Sequence, residues 1–297
     1  MAVLDWEALM IEIVAHLRFM VSRDTSAGNE TVLARHLQKA FREEGLWGHV
    51  HEPSGGRGSF VGVLPGGGEA PLVLLSHLDT APADDSQWPF PPHSGELRDG
   101  VVYGRGAVDC KGLVAAHLGV IFALKRVGAR LDRCVYMVSA AGEEEGGEVG
   151  TASLLEAFPS LRSAAYVLGE GGGYGFDLPS GRVNLCQVGE KGRLVLRVRS
   201  RLPTSALRSL AQRVADETSA GRKRVDCGEL RALATYLDLD RICRNVARCE
   251  DGRVIFETMP GFRKEEIMSR LARLLESRDP LARVSVSRWE EGVVSER

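Results

Sequence analysis

Apolar positions recur at helical spacing twice near the start of the chain, and the pattern then tightens into strands. Over residues 6–22, Leu9, Ile13 and Leu17 fall on one helical face; over 29–46, Val32, Leu33, Leu37 and Phe41 do the same. Ser26 to Asn29 supply turn and helix-capping residue types between the two helices. Phe60-Val61-Gly62-Val63-Leu64 and Pro71-Leu72-Val73-Leu74-Leu75 predict strands on either side of the turn Pro65-Gly66-Gly67-Gly68. The second run is apolar throughout, as expected of a strand covered on both faces. Val101-Val102-Tyr103 reads as a short strand, 112–127 as a helix through Leu113, Ala116, Val120 and Leu124, and 134–140 as another buried strand. A helix over 150–157 and a strand over 164–168 follow. Strands alternating with helices predict an α/β sheet with substantial parallel character.

After about residue 190 the texture changes. Leu194, Leu196 and Val198 alternate with Arg193, Arg197 and Arg199, the mark of a half-exposed antiparallel strand. Helical stretches at 204–217, 229–243 and 263–276 and strands at 253–257 and 283–288 complete a small α+β domain. The predicted organisation is a first domain over 1–191 and a second over 192–297.

Composition narrows the classes. With 297 residues, 44% hydrophobic and 26% charged, the chain can bury a sizeable core. A net charge of −2 gives no field to attract nucleic acid or an anionic membrane. No apolar run approaches the roughly 20 residues that span a bilayer. Asp5, Glu7, Glu12 and His16 interrupt the N-terminal apolar residues, so no signal segment is expected and the predicted location is cytoplasmic. The six cysteines show no C-x-x-C spacing and are expected to be reduced and mostly buried, with a Cys243–Cys249 disulfide the less favoured alternative.

The candidate chemistry sits where apolar runs end. His77 and Asp79 follow one predicted strand, Glu143-Glu144-Glu145 follow another, and Glu170 follows a third; Asp109 lies between the Val101–Tyr103 strand and a helix. In open α/β sheets functional groups gather beyond the carboxyl ends of strands, so topology alone points all four positions to one rim. Imidazole plus carboxylates suits Zn²⁺, with Co²⁺ or Mn²⁺ as alternatives. Asp79, two residues from His77, is placed to orient a ligating imidazole, and adjacent glutamates can divide labour between metal and proton. Taken singly, each residue has a plainer reading: a buried histidine, a helix N-cap at Asp109, a solvated glutamate turn, a loop carboxylate at Glu170. Their joint placement is what argues for chemistry.

Longer stretches carry a resemblance. Ser76-His77-Leu78-Asp79-Thr80, Trp88-Pro89-Phe90, Tyr103-Gly104-Arg105-Gly106 through Asp109-Cys110-Lys111-Gly112, Gly142 through Gly150, Glu170-Gly171-Gly172 and Glu190-Lys191-Gly192 together resemble the zinc-peptidase family of aminoacylase, glutamate carboxypeptidase and succinyl-diaminopimelate desuccinylase. The resemblance implies a catalytic domain with a mixed, largely parallel sheet flanked by helices, plus a smaller α+β lid or dimerisation domain. It implies His77 and Glu170 as ligands of one zinc, Asp109 as the carboxylate bridging two zincs, and Glu144 as a ligand of the second. Asp79 would orient His77, and Glu143 would be the general base. Placing Glu144 as base and Glu145 as ligand is the alternative register. The implied substrate is an N-acyl amino acid or small peptide.

The sequence also departs from that pattern. The family places a last zinc-ligand His in a C-terminal catalytic segment, whereas His117 is the last histidine here. The lid His of a Gly-x-x-His-x-Ser stretch has no counterpart in Ser200-Arg201-Leu202-Pro203-Thr204-Ser205, and Glu257-Thr258-Met259-Pro260-Gly261 lacks the arginine that often precedes Pro-Gly. The resemblance therefore implies a catalytic domain lacking its C-terminal part: another chain covers the apolar surface left there, or the sheet is trimmed, or the sequence is a partial or decayed gene product, and the expected partners are a homodimer mate or that covering chain. Two functions stay open: an amidohydrolase with one complete and one incomplete zinc site, or a non-catalytic relative that binds metal or an amino acid, or serves in an assembly.

Overall fold

A computed structural model describes residues 3–68, 70–178, 181–187, 189–219, 245–250, 252–259, 262–290 and 293–294. They form two compact units, Met1–Glu170 and Gly171–Arg297. The division falls after Glu170, earlier than the expected position at 191.

The first unit opens with α1 (Trp6–Val21), α2 (Thr31–Glu43), β1 (Trp47–His51), β2 (Ser59–Leu64) and β3 (Leu72–His77). The hairpin β4 (Glu96–Arg98) and β5 (Val101–Tyr103) precedes α3 (Lys111–Arg126), β6 (Val135–Ala140), α4 (Ser153–Ala157) and β7 (Tyr166–Leu168). Asp5 caps α1 by accepting the Ala8 N–H at 3.0 Å. α2 begins differently from expectation: its N-cap is Glu30, which makes no side-chain cap bond, and the Thr31 N–H donates to Gly56 O instead.

The central sheet has the order β1-β2-β6-β3-β7. It is mixed: β1 with β2 and β2 with β6 are antiparallel, while β6 with β3 and β3 with β7 are parallel. Side chains alternate across it. Phe60, Leu74 and Met137 join α1, α2 and α3 residues such as Leu33, Phe41, Leu118 and Phe122 in one core. Their neighbours Val61, Val73 and Val138 face the other way, onto Leu154 and Leu161. This period-2 switch is why the strands read as continuous apolar runs. Trp6, Met10, Ile11 and Val120 on the helices and Tyr166, Val167 and Leu168 on β7 are exposed.

The second unit contains the hairpin β8 (Gly172–Leu178) and β9 (Gly181–Cys186), then β10 (Gly189–Glu190), β11 (Gly192–Arg199), α5 (Thr204–Ser219), β12 (Val246–Glu250), β13 (Arg253–Thr258), α6 (Lys264–Glu276), β14 (Arg283–Glu290) and β15 (Val293–Val294). An antiparallel sheet of order β12-β13-β11-β14 buries Leu194, Leu196 and Phe256 against Leu210 and Val214 of α5 and Ile267 and Leu271 of α6. The half-exposed alternation anticipated for 193–201 is present along β11. In the Ser200–Ser205 stretch, Asp279 accepts from the Ser200 hydroxyl at 2.9 Å and the Arg201 N–H at 2.6 Å. The helix anticipated over 229–243 lies outside the described residues. Cys110, Cys134, Cys186 and Cys249 are free, with Cys110 and Cys249 buried and Cys186 exposed; Cys227 and Cys243 lie outside the described residues.

Two histidines of the first unit tie its stability to pH. Burial holds His36 and His117 down to about 4, well below the ordinary histidine value. The unfolded chain therefore takes up protons near pH 6.5 that the fold resists, so their contribution is complete above 6.5 and is lost as pH falls towards 4. The thermal midpoint is expected to drop between pH 7 and 5, and His117→Leu is expected to flatten that drop in a calorimetric pH series.

Candidate metal centre

Three strands of the first unit end on one rim. His77 lies opposite Ala140 across the parallel β3–β6 ladder, and Leu74 lies opposite Leu168 across β3–β7. Beyond β6 comes the Gly142–Glu145 turn, and two residues beyond β7 comes Glu170. Parallel register thus brings groups distant in sequence to the same height. Asp109 arrives from the crossover just ahead of α3. It is not spent on capping that helix, whose N-cap is Cys110 without a side-chain cap bond.

His77 is 2% exposed. Its Nε2 lies 2.9 Å from Asp109 Oδ1 and 3.3 Å from Glu170 Oε2. Single donor atoms of His77, Asp109, Cys110 and Glu170 all lie within 4.8 Å of one another. Ligands held about 2.0–2.2 Å from a tetrahedral ion sit about 3.3–3.6 Å apart, so the imidazole and two carboxylates have nearly the spacing of a coordination shell. Cys110 is the member that sequence reading did not single out. Its Sγ accepts the His77 N–H at 3.0 Å and its thiol donates to His77 O at 3.3 Å, which pins the end of β3. Burial pushes this thiol above its ordinary value.

Asp79, 4% exposed, lies behind the imidazole. His77 Nδ1 is 3.0 Å from the Asp79 carbonyl oxygen and 3.3 Å from Oδ1. The same carboxylate accepts the Glu143 N–H at 3.0 Å on Oδ1 and the Glu144 N–H at 2.9 Å on Oδ2. Glu144 is not in the donor cluster; its Oε1 accepts the Ala81 N–H at 3.1 Å. Glu145 turns away to Arg57, 2.9 Å distant.

The charges are unbalanced. Burial works against a charged His77, but hydrogen bonds with Asp79, Cys110 and Glu170 outweigh it and raise its pKa. Burial likewise works against the Asp79 anion, and contacts from His77 and the two backbone amides overcome it to hold the carboxyl below its ordinary value. The hydrogen bond to His77 lowers Glu170. Glu143 is raised, first by burial and then by the nearby Glu170, Asp79 and Glu144 carboxylates. A cation bound there would relieve so many acids around one imidazole, and the spacing of the donor set fits one.

Residues 73–245 match the family described as Peptidase family M20/M25/M40. The cysteinylglycine-S-conjugate dipeptidase of Corynebacterium striatum is 38% identical over 125 residues, 41% of this chain and 27% of the relative. The N-fatty-acyl-amino acid synthase/hydrolase PM20D1 of Xenopus tropicalis is 38% identical over 102 residues, 34% of this chain and 20% of the relative. The succinyl-diaminopimelate desuccinylase of Gluconacetobacter diazotrophicus is 36% identical over 85 residues, 29% of this chain and 22% of the relative. These matches thus span between a fifth and a little over a quarter of the relatives' length. Among solved structures, the M20 family metallo-carboxypeptidase Sso-CP2 of Sulfolobus solfataricus superposes with a TM-score of 0.64 at 19% identity, covering 96% of this chain and 79% of that one. The Bacillus subtilis YXEP protein, described as a dinuclear metal binding peptidase, gives a TM-score of 0.53 at 14% identity, covering 98% and 77%. The chain belongs to peptidase family M20/M25/M40.

Asp79→Asn tests the geometry directly. An asparagine offers one acceptor atom where the carboxylate offers two, so the Glu143 or the Glu144 amide loses its partner. Urea unfolding of the metal-free protein is expected to show a loss of about 1 kcal/mol, as when one part-buried hydrogen bond is removed.

Proposed function

We propose that this chain is a metal-dependent hydrolase that cleaves the amide bond of a dipeptide or N-acyl amino acid, with zinc as its ion. The observation that carries the reading is the buried His77 imidazole facing the Asp109 and Glu170 carboxylates at ligand spacing. His77, Asp109 and Glu170 would hold one ion. Asp109 and Glu144 would contribute to a second. The ion, when bound, supplies Lewis acidity at the scissile carbonyl.

The remaining work belongs to the protein. Glu143, its carboxyl raised by burial, takes a proton from the attacking water and passes it to the departing amine nitrogen. Asp79 fixes the His77 ring through Nδ1 and keeps Nε2 turned to Asp109 and Glu170. Glu145 is occupied by Arg57, which favours Glu143 as base and Glu144 as ligand over the register shifted by one residue. A second reading, a metal- or amino-acid-binding subunit without hydrolysis, draws support from Glu144, whose carboxylate is engaged with the Ala81 amide.

Metal analysis after zinc loading and dialysis separates these readings when paired with an assay on dipeptides and N-acyl amino acids. His77→Ala and Asp109→Ala are expected to lose the ion. Glu143→Gln is expected to keep the ion and lose hydrolysis by about 100- to 10,000-fold. Wild-type metal content in His77→Ala overturns the site, and a loaded protein inert to every such amide favours the second reading.

A further inference from the structure

Arg57, on the loop between β1 and β2, takes no part in the donor cluster, yet its guanidinium ends beside the turn that carries Glu143 and Glu144. Its Nη1 lies 2.9 Å from Glu145 Oε2. On its other side Nε and Nη2 lie 3.1 and 3.0 Å from Oε1 of Glu30, whose side chain is completely buried at the start of α2. One arginine thus joins the N-terminus of a core helix to the third glutamate of the run. The slot that holds it is shaped by two glycines in left-handed conformations. A Cβ on Gly28 (φ +95°) would stand 3.1 Å from Arg57 Cδ, and one on Gly142 (φ +65°) would stand 2.8 Å from Arg57 Nη2. Gly142 is the residue immediately before Glu143.

The loop carrying Arg57 is anchored in turn. Glu52 Oε1 accepts from the Thr31 hydroxyl and from the Gly56 N–H, each at 2.8 Å, and Gly56 O accepts the Thr31 N–H at 3.0 Å. The guanidinium is therefore delivered from a braced loop, and its partner Glu30 is fixed by the helix.

We propose that Arg57 is a positioning residue for the proton-transferring glutamate: by clasping Glu145 against buried Glu30 it fixes the conformation of the Glu143–Glu145 turn. Asp79 holds that turn from one side through the Glu143 and Glu144 amides, and Arg57 holds it from the other through the Glu145 carboxylate. A planar fork that pairs with two carboxylates at once suits this task, and a lysine satisfies only part of it. The consequence for turnover rests on Glu143 being the base; the effect on the turn does not.

Amide hydrogen exchange on the full chain, with and without zinc, tests the positioning without recourse to activity. In Glu145→Gln, which leaves the Arg57–Glu30 pair intact, exchange of the 142–147 amides is expected to quicken about tenfold or more while α3 and β6 keep wild-type protection. Arg57→Met is expected to do the same, and Arg57→Lys to fall between. Unchanged exchange at 142–147 in Glu145→Gln overturns the proposal, whether or not Arg57→Met folds. In the dipeptide assay Glu145→Gln and Arg57→Met are each expected to lower kcat by about 10- to 100-fold with KM and zinc content little altered, as small misplacements of reacting groups do. A wild-type rate in Glu143→Gln removes the reading of that residue as base and leaves the exchange result standing. Loss of Glu143→Gln activity with a wild-type kcat in Glu145→Gln overturns the link from Arg57 to turnover.

Discussion

One buried carboxylate, Asp79, organises the rim of the first unit. An anion removed from water needs donors to replace its hydration, and Asp79 finds them in the His77 ring and in two consecutive backbone amides. Because those amides belong to Glu143 and Glu144, satisfying Asp79 also fixes where the glutamate turn begins. The arrangement is available only because β3 and β6 are parallel neighbours, so that the residues after His77 and after Ala140 emerge at one level. Sheet register and one desolvated charge together set the relative placement of imidazole and carboxylates.

Around that point the chain accumulates like charge. Asp79, Asp109 and Glu170 contact a single imidazole, and Glu143 and Glu144 follow on the adjoining turn. Two such charges about 4 Å apart repel by about 4 kcal/mol at an effective dielectric of 20. A protonated His77 relieves part of this, and a divalent cation relieves more. The second brace, Arg57, lies on the far side of the turn with Glu30, so its positive charge holds Glu145 away from the cluster instead of neutralising the cluster itself.

Much of this was legible in the sequence, for identifiable reasons. The strands ending at Leu64, His77 and Ala140 are covered on both faces, and their continuous apolar runs announce them. The abrupt endings of the last two in His, Asp and Glu mark the rim. β1 escaped because Trp47–His51 carries His49 and His51 and is only partly covered. The β8–β9 hairpin escaped because its glycines carry no period. The cap of α2 was misjudged because a long-range bond from Thr31 to Gly56 replaces a local one. Cys110 and Arg57 gave no local signal: each acts on a partner more than thirty residues away, and pairings at that range are set by tertiary packing. The gap between Glu144 and the donor cluster was equally invisible, since it depends on one amide at Ala81.

The candidate donors come from the end of one strand, the arm leading into a crossover helix, and the segment after a second strand. No local fragment contains them all in place, so an ion held there binds the assembled sheet in preference to the unfolded chain. With such a site loaded, ion supply would act on protein lifetime as well as on chemistry. Metal scarcity would then raise the population of open, protease-sensitive chains, and abundance would come to track metal status.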